Sequence, residues 1–406
     1  MLHARASHAL GRPRPPIRRS GKRWCLDPAL LRDPEFPEAF ESAAILHEVR
    51  GDLGLLLWQT SRDVLLWGAT APEQRDGLFV GGVEPEPLVG ASETEERLYA
   101  ALRELAELLT AGCDDDEQRI VECCRTVARW AVNSGLERTA IAFAQAAATG
   151  SRADAGRYVD AGRLLVRYRR RTAAETWFRR GIALARRAGD WSSYAEAWLE
   201  LGWLHASRGE TEPAGRAFMR ALKVSKRKGV RSVRARAHYG MMRVLAAVAD
   251  FEGAKLHGAT SLRLFGDHRE HTGVTHDLAA LMLEQDPVAN AWECSEMLRS
   301  VLPLRRSGAD RIATLTLLVR AAGYAGQDAI LADAWFDAVR ALERLDSSAD
   351  TARRLLDLAR AGRETRGMDA ARMAEVARQA FHMAMRVEDR PLALEAEAFR
   401  LELLSA

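Results

Sequence analysis

Residues 198–222 read Trp198-Leu-Glu-Leu-Gly202-Trp-Leu-His205-Ala-Ser-Arg-Gly209-Glu-Thr-Glu-Pro-Ala214-Gly-Arg-Ala-Phe218-Met-Arg-Ala221-Leu222. Trp198, Leu201, Gly202 and His205 stand at i, i+3, i+4 and i+7, a spacing that puts them on one stripe of a helix. Gly209 punctuates the run, and Ala214, Phe218, Ala221 and Leu222 continue it on a second helix. The absence of bulk at Gly202 predicts a close approach of that second helix, with Ala214 as its small partner. Phe218 and Leu222 are then expected to fill the gap to the next helix pair.

The pattern recurs. Steps of 40 residues from Gly202 land on Gly162, Met242, Met282, Ala322 and Gly362, and one step of 34 back from Gly162 lands on Ala128. Twelve residues beyond these anchors stand Ala140, Ala174, Ala214, Ala254, Cys294, Ala334 and Ala374, small in every row. Twenty beyond stand Ala148, Ile182, Leu222, Leu262, Leu302, Leu342 and His382; four before stand Cys124, Tyr158, Trp198, His238, Leu278, Leu318 and Leu358. Met242 and Met282 replace the small anchor, so those two pairs are expected to pack less closely. Arg378 and His382 at core columns mark the last row as a cap with a wet outer face.

The set Trp198-x2-Leu201-Gly202-x2-His205, Ala214, Phe218 resembles the tetratricopeptide repeat motif, with His205 for the usual Tyr and Lys226 where a Pro would fall. The resemblance covers residues 120–400. It implies an all-α fold, a right-handed α-solenoid of stacked antiparallel helix pairs. Most such repeats span about 34 residues; HEAT-type repeats share the longer period but not the Trp/Leu-Gly/Ala/Phe set.

Upstream, two helices are predicted within residues 36–69. The first runs through Phe40, Ala44 and His47, breaks at Arg50-Gly51-Asp52, and the second carries Leu55, Leu56, Trp58 and Trp67. Residues 70–93 read as a long loop. A further helix from Thr94 to Leu109 has Leu98, Leu102, Leu105 and Leu109 on one face. The acid run Asp114–Glu117 suits a helix start. The expected organisation is a disordered basic tail over 1–23, an N-terminal helical cap over 24–112 and the repeat array over 113–406. The tail holds seven Arg or Lys and no acid; a transit peptide or a misplaced start codon is the rival reading.

Composition excludes several classes. With 48% hydrophobic and 28% charged residues the chain suits a protein with a sizeable core, and no apolar run approaches a membrane span. Five scattered cysteines without a C-x-x-C pair fit a reducing, cytoplasmic setting, each thiol a small buried hydrophobe. No phosphate loop, nucleophile elbow, HExxH or dinucleotide fingerprint is present, so no catalytic residue, resident metal or cofactor is expected. His268, His271 and His276 form the one histidine cluster, a three-ligand metal site or, more plainly, a solvated linker.

What remains is surface. In the implied fold the first helix of each pair lines the concave wall. Its open face carries Arg125, Arg129, Asn133, Arg163 and Arg167, then Glu196, Glu200 and Trp203, then Arg236, Tyr239 and Arg243. Four arginines at repeated spacing predict a guanidinium ladder for carboxylates, with Trp203 as an apolar anchor. Chaperone-binding members of the family use a similar basic clamp, but with a Lys/Asn pattern that this chain lacks. The expected function is a non-catalytic adaptor that binds a protein or peptide, an extended segment with acidic residues or a free carboxylate. A regulatory sensor controlling a transcription factor or enzyme is the alternative. Residues 157–236 carry 20 basic against 7 acidic side chains, which leaves nucleic acid as a third partner class.

Overall fold

The computed structural model describes residues 43–70, 74, 92–111, 116–150, 154–266, 270–305, 308–365 and 367–405. The basic tail, most of the 70–93 loop, Cys25, Cys113 and His268 lie outside the described residues. Every regular element among the described residues is a helix. They fall into two compact units, which divide between Val233 and Arg234. No described helix is long and apolar enough to cross a membrane.

In the first unit, α1 (Ala43–Glu48), α2 (Gly51–Ala69) and α3 (Glu93–Ala111) precede three helix pairs. The pairs are α4 (Glu117–Asn133) with α5 (Glu137–Gly150), α6 (Ala155–Arg167) with α7 (Arg171–Ala188), and α8 (Trp191–Ser207) with α9 (Thr211–Lys228). Both predicted upstream helices are present from Ala43 on, broken at Arg50, with Phe40 outside the described residues, and all five leucines of α3 are buried. α1 and α2 pack against α5. The Glu48 carboxylate accepts from the backbone N–H groups of Arg138 (2.7 Å) and Thr139 (2.9 Å) and from the Thr139 hydroxyl (3.0 Å). It thereby caps the N-terminus of α5 from another element.

The second unit opens within α10 (Arg231–Ala247), which pairs with α11 (Phe251–Phe265). There follow α12 (His271–Gln285) with α13 (Pro287–Val301), α14 (Gly308–Tyr324) with α15 (Asp328–Leu342), α16 (Ala349–Arg363) with α17 (Ala370–Arg386), and a last helix, α18 (Arg390–Ser405). In both units each second helix also packs on the next first helix, α7 on α8 and α13 on α14 for example. The all-α stack of antiparallel pairs is therefore as expected, with every anchor on a first helix, from mid-helix at Gly162 to the last turn at Ala322 and Gly362. The small column is buried in every row, from Ala140 to Ala374.

Two expectations about packing need correction. The atoms nearest a Cβ added at Gly202 belong to the Phe218 ring, at 2.6 Å, and not to Ala214. Gly162 faces Phe178 in the same way, at 2.4 Å. The phenyl sixteen residues on thus fills the space above the glycine within its own pair. In the Met242 pair the sizes are exchanged: the residue sixteen on is Gly258, and a Cβ there would lie 2.8 Å from Met242 Sδ. The methionine fills the gap that phenylalanine fills elsewhere.

The turn between first and second helices is a six-residue helix stop. Leu136, Arg170, Glu210 and Asp250 each donate a backbone N–H to the carbonyl five residues earlier, at 2.8–3.0 Å. That hydrogen bond requires the preceding residue to be left-handed. Gly135 and Gly209 take that conformation freely, whereas Arg169 and Ala249 hold it at φ 60° against their own Cβ.

Candidate functional site

First helices stand beside one another within each unit, α6 by α8, and α12, α14, α16 and α18 in sequence. The side chains on this wall are bound to each other. Arg163 donates from Nε to Glu200 (2.9 Å) and from Nη2 to Glu196 (3.3 Å), and lies 3.4 Å from Asp160. Burial works against its charge, yet Glu200 and Glu196 hold its pKa above the ordinary guanidinium value. Arg125 donates to Glu122 at 2.7 Å. The four-arginine ladder predicted from the sequence is therefore incomplete, because Arg163 and Arg125 already have carboxylates. Arg129, Asn133 and Arg167 are exposed.

Trp203 does not stand free as an anchor. Its ring packs edge-on against Phe218, centroids 5.1 Å apart, and is half-buried in its own pair. Leu199, beside Glu200 on α8, is fully buried. In the second unit, Tyr239 donates its hydroxyl to Asp277 (2.6 Å), and burial followed by that carboxylate raises its pKa. Arg243 hydrogen-bonds the same phenol, and Arg236 approaches Glu270 at 3.8 Å. Of the basic residues held against nucleic acid, Arg171, Arg186 and Arg187 are exposed on α7, while Arg170 and Arg179 pair with Glu137 and Glu175.

His271 and His276 are not in a linker. Both lie on α12 and are partly buried. Burial holds His276 below the ordinary imidazole range, and its Nδ1 lies 3.4 Å from the Thr314 hydroxyl. Cys123, Cys124 and Cys294 are buried, as expected for small hydrophobes. Burial pushes the Cys123 and Cys294 thiols up to about 12, far from nucleophilic range.

His276 also borders a feature the sequence reading missed. A cleft of about 380 Å³, open to solvent, runs along α12, α14 and α16. Ile312, Ala313, Leu317 and Ala361 form its apolar floor; Arg320, Arg354, Arg360, Asp357 and Glu364 stand around it. Arg320 donates to Glu364 (2.6 Å), Arg354 to Asp350 (2.7 Å), and Arg360 to Glu395 of α18 (2.8 Å). Arg353 reaches the other oxygen of Glu395 at 2.9 Å, so two guanidinium groups share that carboxylate. Asp357 lies between them on α16, and burial raises its pKa in spite of Arg360, Arg353 and Arg354 nearby. A signal for the cleft existed: Arg320 and Arg360 occupy the column two residues before the anchor, the column of Glu200.

No family model matches the chain, and no curated protein matches it either. Solved structures do resemble it. The apo form of RapI covers 70% of this chain and 98% of its own at TM-score 0.47 and 12% identity. A Rap protein complexed with competence and sporulation factor covers 90% and 91% at TM-score 0.42 and 9% identity. Yeast Tom70 covers 93% and 82% at TM-score 0.43 and 12% identity.

Proposed function

We propose that the chain is a non-catalytic scaffold that holds an extended segment of another protein on its first-helix wall, with the cleft of the second unit as the seat. The observation that carries this reading is the cleft's composition: an apolar floor rimmed by three guanidinium groups and two carboxylates. An apolar side chain of a ligand fills the cleft over Ile312 and Leu317, and a neighbouring carboxylate displaces Asp350 from Arg354 or Glu395 from Arg360. Charge-assisted, two-pronged contacts of that kind fix direction as well as add affinity. The non-catalytic reading is supported by the inert thiols and by a wall whose charges are mutually paired.

A library of random 12-residue peptides presented to the full chain tests this. The expected enrichment is of peptides with a bulky apolar residue next to an acidic one. Ala313→Asp and Arg360→Glu each abolish that enrichment with helical circular dichroism unchanged. Enrichment of the same peptides by both variants, or none by the parent, overturns the reading.

A further inference from the structure

Two core columns of the repeat meet across each helix pair: the residue four before the anchor, on the first helix, and the residue fifteen after it, on the second. In the Gly162 pair these are Tyr158 and Trp177, whose rings lie 5.3 Å apart. In the Ala128 row they are Cys124 and Phe143, and in the Met282 row Leu278 and Met297, all apolar. The Met242 pair alone fills both columns with imidazoles, His238 on α10 and His257 on α11. The two rings are 4.9 Å apart and tilted by 48°. Their Nδ1 atoms approach to 3.1 Å. Each ring is half-buried.

We propose that His238 and His257 form a two-histidine site for a divalent transition-metal ion of the Zn²⁺, Ni²⁺ or Cu²⁺ class. Imidazole nitrogens bind such ions at about 2.0–2.1 Å. Two nitrogens at that distance, subtending about 100° at the ion, are roughly 3.1–3.2 Å apart. The pair thus has the bite of a chelate before any ion arrives. Without the ion, one Nδ1–H donates to the other Nδ1. Binding through both nitrogens requires that proton to move to Nε2 of the same ring, so two neutral imidazoles release no net proton. Burial keeps both rings below the ordinary imidazole range, His238 at about 4, so the metal-binding form is present at neutral pH.

The surrounding charges shape the rest of the coordination. Arg234 and Arg263 act on His238, and Asp250 acts on His257. The two arginines disfavour a bare dication and favour an anionic ligand, hydroxide, chloride or carboxylate, in the open positions. Hard cations such as Mg²⁺ and Ca²⁺, which prefer oxygen, have no seat here. An ion held by α10 and α11 together clips the two helices of one pair. This inference is independent of the cleft on α12, α14 and α16.

The test is calorimetric titration of Ni²⁺ and of Zn²⁺ into the full chain at pH 7.5, with thermal unfolding alongside. The chain contains ten histidines, so the decisive quantity is the difference between parent and variants. The expected result is one saturable site and a metal-dependent rise in Tm, both lost in His238→Gln and in His257→Gln. The double variant His238→Tyr with His257→Trp copies the ring pair of the Gly162 row. It is expected to keep the helical circular dichroism of the parent and to lack the site. No saturable binding by the parent, or equal binding by parent and double variant, overturns the proposal.

Discussion

Bulk is distributed across a helix pair and not along one helix. Gly162 faces Phe178, Gly202 faces Phe218, and Met242 faces Gly258. These three pairs each set one large residue against one small one at this contact, and either helix can supply the large one. Gly202→Met alone overpacks the site, at a cost of about 1–3 kcal/mol. Phe218→Gly alone opens a cavity and costs about 3–5 kcal/mol. The double variant copies the Met242–Gly258 arrangement and is expected to lose much less than the sum, read as a coupling energy from urea unfolding. A second outcome concerns the turn. Ala249 holds φ 60° where Gly209 holds 76°; Ala249→Gly removes the Cβ clash and is expected to stabilise by up to about 1 kcal/mol. The anchor column was legible from spacing, but the partner of each anchor was not. A sequence column shows which residues are small, and only the packed pair shows which side chain occupies the space they leave.

Capping and ion pairing at the level of helices join elements far apart in the chain. The N-terminus of α5 is held by Glu48, 90 residues away. Glu48→Ala removes an acceptor from two backbone donors and is expected to cost about 1 kcal/mol, while Glu48→Gln retains part of it; thermal unfolding reads both. The α10–α11 pair adds a pH dependence. His238 titrates at about 4 in the folded chain, below the ordinary value of about 6.5. As pH falls from about 6.5 toward 4, the unfolded chain takes up a proton that the folded one does not, so stability falls over that window. Above it the contribution is constant. His238→Gln is expected to flatten the loss, measured as the parent-minus-variant difference in unfolding free energy between pH 7 and 4.5. Helix existence was legible because period-3.6 stripes are local. The pairing of Arg163 with Glu200, 37 residues on, and of Arg320 with Glu364, 44 on, was not, because neither partner is adjacent on its own helix. Counting arginines on one face therefore overstated the positive charge available to a ligand.

Among the described residues one helix-pair unit recurs seven times, from α4 to α17, and the rows differ in what each leaves open. Salt bridges run along the first-helix face in both units, Arg163 to Glu196 and Glu200 in one and Arg320 to Glu364 and Arg360 to Glu395 in the other. In the rows of Met282, Ala322 and Gly362 the same face opens into a cleft with an apolar floor. The candidate residues read from the sequence end at Arg243, before the rows that line the cleft. Arginines are visible in a sequence, whereas a cleft over Ile312 and Leu317 is a property of packing that spacing alone does not reveal. The central claim is that this wall, at these rows, is the binding surface. Amide hydrogen exchange on the full chain, with and without a peptide enriched from the random library, tests it most directly. The account predicts slowed exchange in α14 and α16, residues 308–324 and 349–363; slowing confined to α7 and α9, or no slowing in a saturated complex, would contradict it.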